Sequence, residues 1–300
     1  MIWSSYIKSA IALPLLGPGI IVSTLIFVRY VYTFVKVPEK RPINSILIHL
    51  VFSNVVIISV GGIGIISTVF CFRNFPGNVG SKTMVYLGRV ARGLSICTTC
   101  LLSMVQAITI SPRNSLCRKL KPQTAWQVLP HVLLFWVCNF LISSNLLYYV
   151  TIINSTNCSG IGMYISKCYM LPSQQMVRWL FLSLMTLRDI TFQSLMSWSS
   201  VDMAVHLHKH HKRVFYLHSS KFRNNSSPEI TAIQNTLILM TCFLFFYWAD
   251  FIFSFYIGSI TTPHTTIVNI KLFLELGFAI LSPYVLISRD IHVVNCWHCH

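Results

Sequence analysis

Seven long apolar stretches constrain this 300-residue chain more than any other feature. A bilayer's hydrocarbon core is about 30 Å thick, so a spanning helix needs ~20 largely apolar residues. Such stretches fall at about 9–35, 44–70, 83–110, 126–150, 176–203, 231–258 and 266–288. They predict an all-α membrane protein, a seven-transmembrane helix bundle forming one domain over residues 1–300. Little chain is left for a second globular unit. No internal repeat or matched pair of broken helices marks two transporter-like halves.

Charge orients the bundle. Lys36, Lys40 and Arg41 follow the first stretch, and Arg113, Arg118, Lys119 and Lys121 follow the third. Lys209, Lys212, Arg213, Lys221 and Arg223 follow the fifth, and Arg289 stands just past the seventh. The opposite loops and the amino end hold only Lys8, Arg73, Lys82, Lys167 and Arg178. Basic loops stay cytoplasmic, so the N-terminus is expected to be extracellular and the C-terminus cytoplasmic, in a multi-pass protein of the plasma membrane. About eight residues precede the first stretch, which is expected to act as its own signal anchor. The +16 net charge would suggest nucleic-acid binding in a soluble protein. With 54% hydrophobic and 10% charged residues, no nucleic acid is expected. The basic loops are instead matched to membrane lipids or a cytoplasmic protein partner.

The outer segments are short: the amino tail, Phe72–Ser81 and a loop of about Thr151–Gln175. By exclusion, an extracellular small molecule would bind between helices in the outer half of the bundle. Asn154 and Asn157 begin glycosylation triplets in the long outer loop, whereas those at Asn224 and Asn225 fall in a cytoplasmic loop and are expected to stay bare. Cys97, Cys100, Cys138 and Cys242 sit inside stretches and are expected to pack as small hydrophobes. Cys71, Cys158 and Cys168 lie at or beyond the outer surface, where one pair can oxidise without the sequence choosing which.

Two constellations imitate catalytic or metal chemistry. The final Cys296-Trp297-His298-Cys299-His300 has the Cys-x-x-Cys-His form of haem attachment, but no folded haem pocket accompanies it. Palmitoylation of Cys296 or Cys299 and an unmodified tail are the readings left. His206 and His210 share a helix face where the fifth stretch meets the cytoplasm. Flanked by Lys209, Lys212 and Arg213, they read as an interfacial basic segment rather than a metal site. No phosphate loop, nucleophile elbow or paired-carboxylate site is present, so neither enzyme activity nor a cofactor is expected.

Charges inside the stretches carry more information, because lipid tolerates them poorly. Arg89 and Arg92 share one face of the third stretch, with Arg89 roughly 10 Å below the outer surface at 1.5 Å per residue. Arg188 and Asp189 lie mid-way along the fifth, Asp250 about two turns from the outer end of the sixth, and Lys271 and Glu275 on one face of the seventh. These groups either line a polar ligand cavity or tie helices together as ion pairs. Together with Arg29, near the inner end of the first stretch, the bundle holds five basic residues against three acids. The excess points to an acidic ligand.

Specific runs resemble the vomeronasal type-1 receptor family. They include His49-Leu50-Val51-Phe52-Ser53-Asn54, Arg89-Val90-Ala91-Arg92-Gly93 and Thr98-Thr99-Cys100-Leu101-Leu102-Ser103. Ile108-Thr109-Ile110-Ser111-Pro112-Arg113-Asn114-Ser115, Leu187-Arg188-Asp189 and Leu195-Met196-Ser197-Trp198-Ser199-Ser200 continue the match. It extends through His210-His211, Leu217-His218-Ser219-Ser220, Ser227-Pro228-Glu229, Ser282-Pro283-Tyr284-Val285-Leu286-Ile287 and Cys296-x-x-Cys299. The resemblance implies a G-protein-coupled pheromone receptor that binds small organic molecules and signals through a Gi/Go-class G protein. Arg113, Arg118, Lys119, Lys121, Lys209, Lys212 and Arg213 are then candidates for the G-protein face.

The chain departs from the family pattern in places. A Cys expected just before Lys82, paired to the second outer loop, is Ser81. Cys168 would then be free, or re-paired with Cys71 or Cys158. The Gly-Asn expected in the first stretch is Val22-Ser23, and Gly88 stands where a His often precedes Arg89. A bitter taste-type receptor has the same plan, but its His-Ser-Phe-Ile-Leu signature is replaced here by Ser282-Pro283-Tyr284-Val285-Leu286-Ile287. A transporter or channel using the buried charges is the alternative of a different class.

Overall fold

The computed structural model describes residues 2–36, 42–69, 77–110, 122, 124–144, 150–152, 168–170, 175–217, 228–259 and 265–297. Among them are seven helices: α1 (Ile2–Lys36), α2 (Pro42–Val69), α3 (Gly77–Ile110), α4 (Ala125–Ser143), α5 (Gln175–Leu217), α6 (Pro228–Ser259) and α7 (Thr265–Trp297). Two short strands, β1 (Val150–Ile152) and β2 (Cys168–Met170), pair antiparallel between α4 and α5, with Thr151 opposite Tyr169.

Helices follow from the solvent. A backbone group in hydrocarbon has no water to bond, so each N–H and C=O must be satisfied within its own helix. Hydroxyls obey the same rule. Thr24 donates to the Ile20 carbonyl at 2.8 Å, Ser197 to Gln193 at 2.8 Å and Ser200 to Met196 at 2.9 Å. Five described segments are long and apolar enough to cross a membrane: Leu16–Lys36, Pro42–Ile65, Val79–Thr109, Ala125–Ser143 and Met240–Ile257. The apolar stretches of α5 and α7 each carry charges. Arg188 and Asp189 interrupt α5, and Lys271 and Glu275 interrupt α7.

The fourth apolar stretch, expected to run to residue 150, leaves the helix at Ser143. Nineteen residues at 1.5 Å already span about 28 Å, a full hydrocarbon core. Ser144 closes the end, its N–H and hydroxyl both reaching the Leu141 carbonyl. Val150, placed in the helix by its apolarity, instead pairs in β1 with Met170. In the other direction α5 overruns: it is 43 residues long and continues past the expected end at 203 to Leu217. The extension carries the basic, histidine-rich segment.

α3 is the axis of the bundle. Its apolar window is 78% buried, against 22% for α1 and α4 and 28% for α6, so those three present most of their surface outward. α1 packs on α2 and α7, α6 on α5 and α7, and α4 on α2, α3 and α5. Leu47, Leu50, Ile96, Leu102, Met196, Met240 and Phe243 are sealed inside the main core. Ile21, Leu25 and Val28 of α1 and Leu133, Leu134 and Val137 of α4 face outward, as apolar surface in a lipid solvent does.

Candidate functional site

Six of the seven charges predicted at similar depths, all but Arg89, form one connected network. Arg92 of α3 is fully enclosed at its centre. Its Nε pairs with an Asp250 carboxylate oxygen on α6, and its second terminal nitrogen lies 3.4 Å from Asp189 on α5. Arg188, the residue before Asp189, folds back and clasps Oδ1 of that carboxylate through Nε at 2.9 Å and a terminal nitrogen at 2.7 Å. Lys271 of α7 stands 3.7 Å from the other Asp250 oxygen and 3.0 Å from Glu275 one turn further along its own helix. Thus α3, α5, α6 and α7 are tied through two buried aspartates, each shared by two cations.

Burial explains the sharing. An unpaired carboxylate in a dry interior is costly, and two cations satisfy more of its oxygen lone pairs than one. Asp189 is completely buried and Asp250 3% exposed. Three cations (Arg92, Arg188 and Lys271) then balance three acids (Asp189, Asp250 and Glu275). Of the cations within the bundle, Arg89 makes no ion pair within 4 Å among the described residues. It lies one turn from Arg92 and is half-buried. Arg29 is exposed on α1, away from this network. The fivefold basic count in the bundle therefore reduces locally to a single unmatched charge.

The structure adds two residues that the charge pattern did not reveal. Asn139 of α4 accepts from Arg188 at 2.7 Å through Oδ1, while its amide nitrogen donates to the Phe135 carbonyl at 2.8 Å. Gly93 lets both groups press against α3: a Cβ there would collide with Asn139 Oδ1 and an Arg188 terminal nitrogen. A lone Asn within the apolar run Phe135–Ile142 was the available signal, since a polar amide in lipid requires a partner. Gly93 had no such signal, because its role depends on what α4 and α5 bring to it.

Several buried polar atoms beside the network have no hydrogen-bond partner among the described residues: Asp250 Oδ1, Ser254 Oγ, Gln193 Oε1, Thr186 Oγ1 and Ser143 Oγ. Ser254 is four residues beyond Asp250, Gln193 four beyond Asp189, Thr186 three before it and Ser143 four beyond Asn139. Each therefore shares a helix face with a network residue. Buried polar atoms are normally bonded, so this cluster has unused capacity for a polar guest or water.

Below the ion network lies a neutral one. Asn54 of α2 bonds Ser282 of α7 at 2.6 Å and Ser95 of α3 at 3.0 Å, and Ser95 lies 2.8 Å from the Tyr247 hydroxyl of α6.

Of the cytoplasmic candidates, Lys209 and Lys212 are exposed on the α5 extension. His206 approaches Asp202 at 3.5 Å, one turn away on its own helix, and no group of three metal-ligating side chains occurs among the described residues. Arg113, Arg118, Lys119, Lys121, Asn154, Asn157, Cys71, Cys158 and Cys299 lie outside the described residues, as do the side chains of Arg213, Cys168 and Cys296. Ser81, standing where a cysteine was expected, is buried on α3. Cys97 and Cys100 are buried free thiols; Cys138 and Cys242 are free on the outside of the bundle.

Comparison with known proteins gives this geometry a context. Residues 7–299 match the Vomeronasal organ pheromone receptor family. The chain is 31% identical over 288 residues to Vomeronasal type-1 receptor 4 of Homo sapiens, covering 96% of this chain and 95% of the relative. It is 30% identical over 289 residues to Vomeronasal type-1 receptor 100 of Rattus norvegicus, covering 93% and 85% respectively. Vomeronasal type-1 receptor 94 of Rattus norvegicus is 32% identical over 288 residues, with coverage of 93% and 85%.

Proposed function

The chain belongs to the vomeronasal organ pheromone receptor family, multi-pass G-protein-coupled receptors of the plasma membrane rather than enzymes, and from that premise we propose how it receives its ligand. Residues 1–300 form one seven-span receptor domain with an extracellular N-terminus and a cytoplasmic C-terminus. A small organic pheromone enters the outer half of the bundle and meets Arg89, Arg92, Arg188, Asp189, Asp250, Lys271 and Glu275. One observation carries this reading: the network is balanced three against three, and Arg89 beside it is a cation with no ion-pair partner among the described residues. The unbonded Ser254, Thr186 and Gln193 atoms supply hydrogen-bonding groups for the same guest. A ligand with one anionic group and a polar second end complements both features.

Binding favours one helix arrangement over another, because the shared aspartates connect four helices. The response reaches a Gi/Go-class G protein at the face formed by Arg113, Arg118, Lys119, Lys121, Lys209, Lys212 and Arg213; exposed Lys209 and Lys212 on the long α5 support this placement. The Gi/Go class itself rests on the family resemblance. Asn154 and Asn157 carry glycan, Cys296 or Cys299 takes a palmitoyl anchor, and any outer disulfide joins two of Cys71, Cys158 and Cys168.

The test is nucleotide exchange by purified Gi/Go heterotrimer in membranes holding the full chain, during a screen of small organic compounds. Exchange evoked by a compound supports the receptor reading. No exchange with any compound, together with current or substrate flux in liposomes, would replace it with a conduction role for the charged network.

A further inference from the structure

The chemistry around Pro283 links it to the far side of the bundle. Proline has no N–H to give the carbonyl four residues back, which here belongs to Ala279. The Ser282 hydroxyl donates to that carbonyl at 3.2 Å, replacing the missing bond. The same oxygen accepts from Asn54 Nδ2 at 2.6 Å, and Asn54 Oδ1 accepts from Ser95 at 3.0 Å. A hydroxyl has one proton, and Ser95 has now spent its own. In the 2.8 Å contact between Ser95 and Tyr247, the tyrosine must therefore donate. The chain of donors runs in one direction, from Tyr247 on α6 to Ser95 on α3, Asn54 on α2, Ser282 on α7 and finally the Ala279 carbonyl. All four side chains are at most 4% exposed, so water does not readily substitute.

Turning the Asn54 amide over would reverse every step. Ser282 would then donate to Asn54, and the Ala279 carbonyl would lose its donor. Only one amide orientation serves the proline-freed carbonyl, and Tyr247 sustains it from the other end. Tyr247 also has a second seat. Thr99, one turn from Ser95, spends its proton on the Ser95 carbonyl at 2.7 Å and so can only accept from Tyr247, 3.4 Å away. The ionic contact above lies next in line, because Asp250 is three residues from Tyr247 on α6 and Arg92 three from Ser95 on α3.

We propose that Tyr247, Ser95, Asn54 and Ser282 form a polarised hydrogen-bond switch coupling the position of α6 to the Pro283 hinge of α7. With Tyr247 donating to Ser95, the chain is complete and the hinge is held. A shift of α6 that turns the hydroxyl to Thr99 releases Ser95, removes the bias on the Asn54 amide and loosens α7 at Ala279. Asn54 and Tyr247 are positioning residues in this device and need not touch a ligand.

Hydrogen–deuterium exchange on the full chain in lipid nanodiscs tests the proposal without ligand or G protein. Tyr247→Phe removes one hydroxyl on α6 and is expected to raise deuterium uptake several-fold in α7 peptides covering residues 279–287. Ser95→Ala interrupts the same chain by a milder change, should give the same signature, and carries the test if the first variant is poorly folded. Thr241→Val removes an α6 hydroxyl whose hydrogen bond among the described residues is to the Leu237 carbonyl of its own helix, and should leave α7 unchanged. Unaltered α7 uptake in Tyr247→Phe and Ser95→Ala, or an equal rise in Thr241→Val, would overturn the coupling.

Discussion

At the scale of single residues, the site depends on pairs that cannot be separated cheaply. Asp189 serves both Arg92 and Arg188 while fully buried. Asp189→Ala leaves two enclosed guanidinium groups short of a counter-charge and is expected to cost about 3 kcal/mol or more, read as a lower melting temperature of the detergent-solubilised chain. Gly93 tests sterics instead of charge. Gly93→Ala drives a methyl into Asn139 and Arg188, so it should destabilise by about 1–3 kcal/mol and lower the surface level. Gly17→Ala, with open space around the added carbon, should do neither, as surface labelling of both variants would show. The charged members of the site were legible in the sequence because ions in apolar runs stand out. Asn139 was weakly legible and Gly93 was not, since neither contact exists until α4 and α5 close on α3.

At the scale of elements, apolar length located the helices but not their ends. α4 stops at Ser143 although the apolar run continues, because the bilayer thickness is already used, and Val150–Ile152 pairs instead with Cys168–Met170. α5 runs on to Leu217 although its apolarity ends, because helical hydrogen bonding does not depend on lipid once water is reached. That overrun sets the exposed Lys209 and Lys212 beyond the last apolar turns. Reversing both, as Lys209→Glu with Lys212→Glu, should slow evoked nucleotide exchange roughly fivefold, the scale of about 1 kcal/mol, with the surface level unchanged. Equal exchange by the doubly reversed chain would remove this segment from the G-protein face.

At the scale of the whole molecule, the family is shown by a match over nearly the full chain, while the orientation is a proposal that rests on where the basic loops fall. An extracellular N-terminus puts Asn154 and Asn157 in the lumen and Asn224 and Asn225 in the cytoplasm. Glycosidase treatment should therefore shift the wild-type band on a gel, and Asn154→Gln with Asn157→Gln should abolish that shift; glycan persisting at Asn224 or Asn225 would invert the bundle. The central claim is that ligand is received at the outer charge network through its one unmatched cation. The most direct measurement is the concentration–response of Gi/Go nucleotide exchange to an activating organic anion, compared among the wild type, Arg89→Ala and Arg29→Ala at matched surface levels. The account predicts a rightward shift of about tenfold or more for Arg89→Ala, the equivalent of ~1.4 kcal/mol, and none for Arg29→Ala. An unshifted Arg89→Ala curve would contradict it.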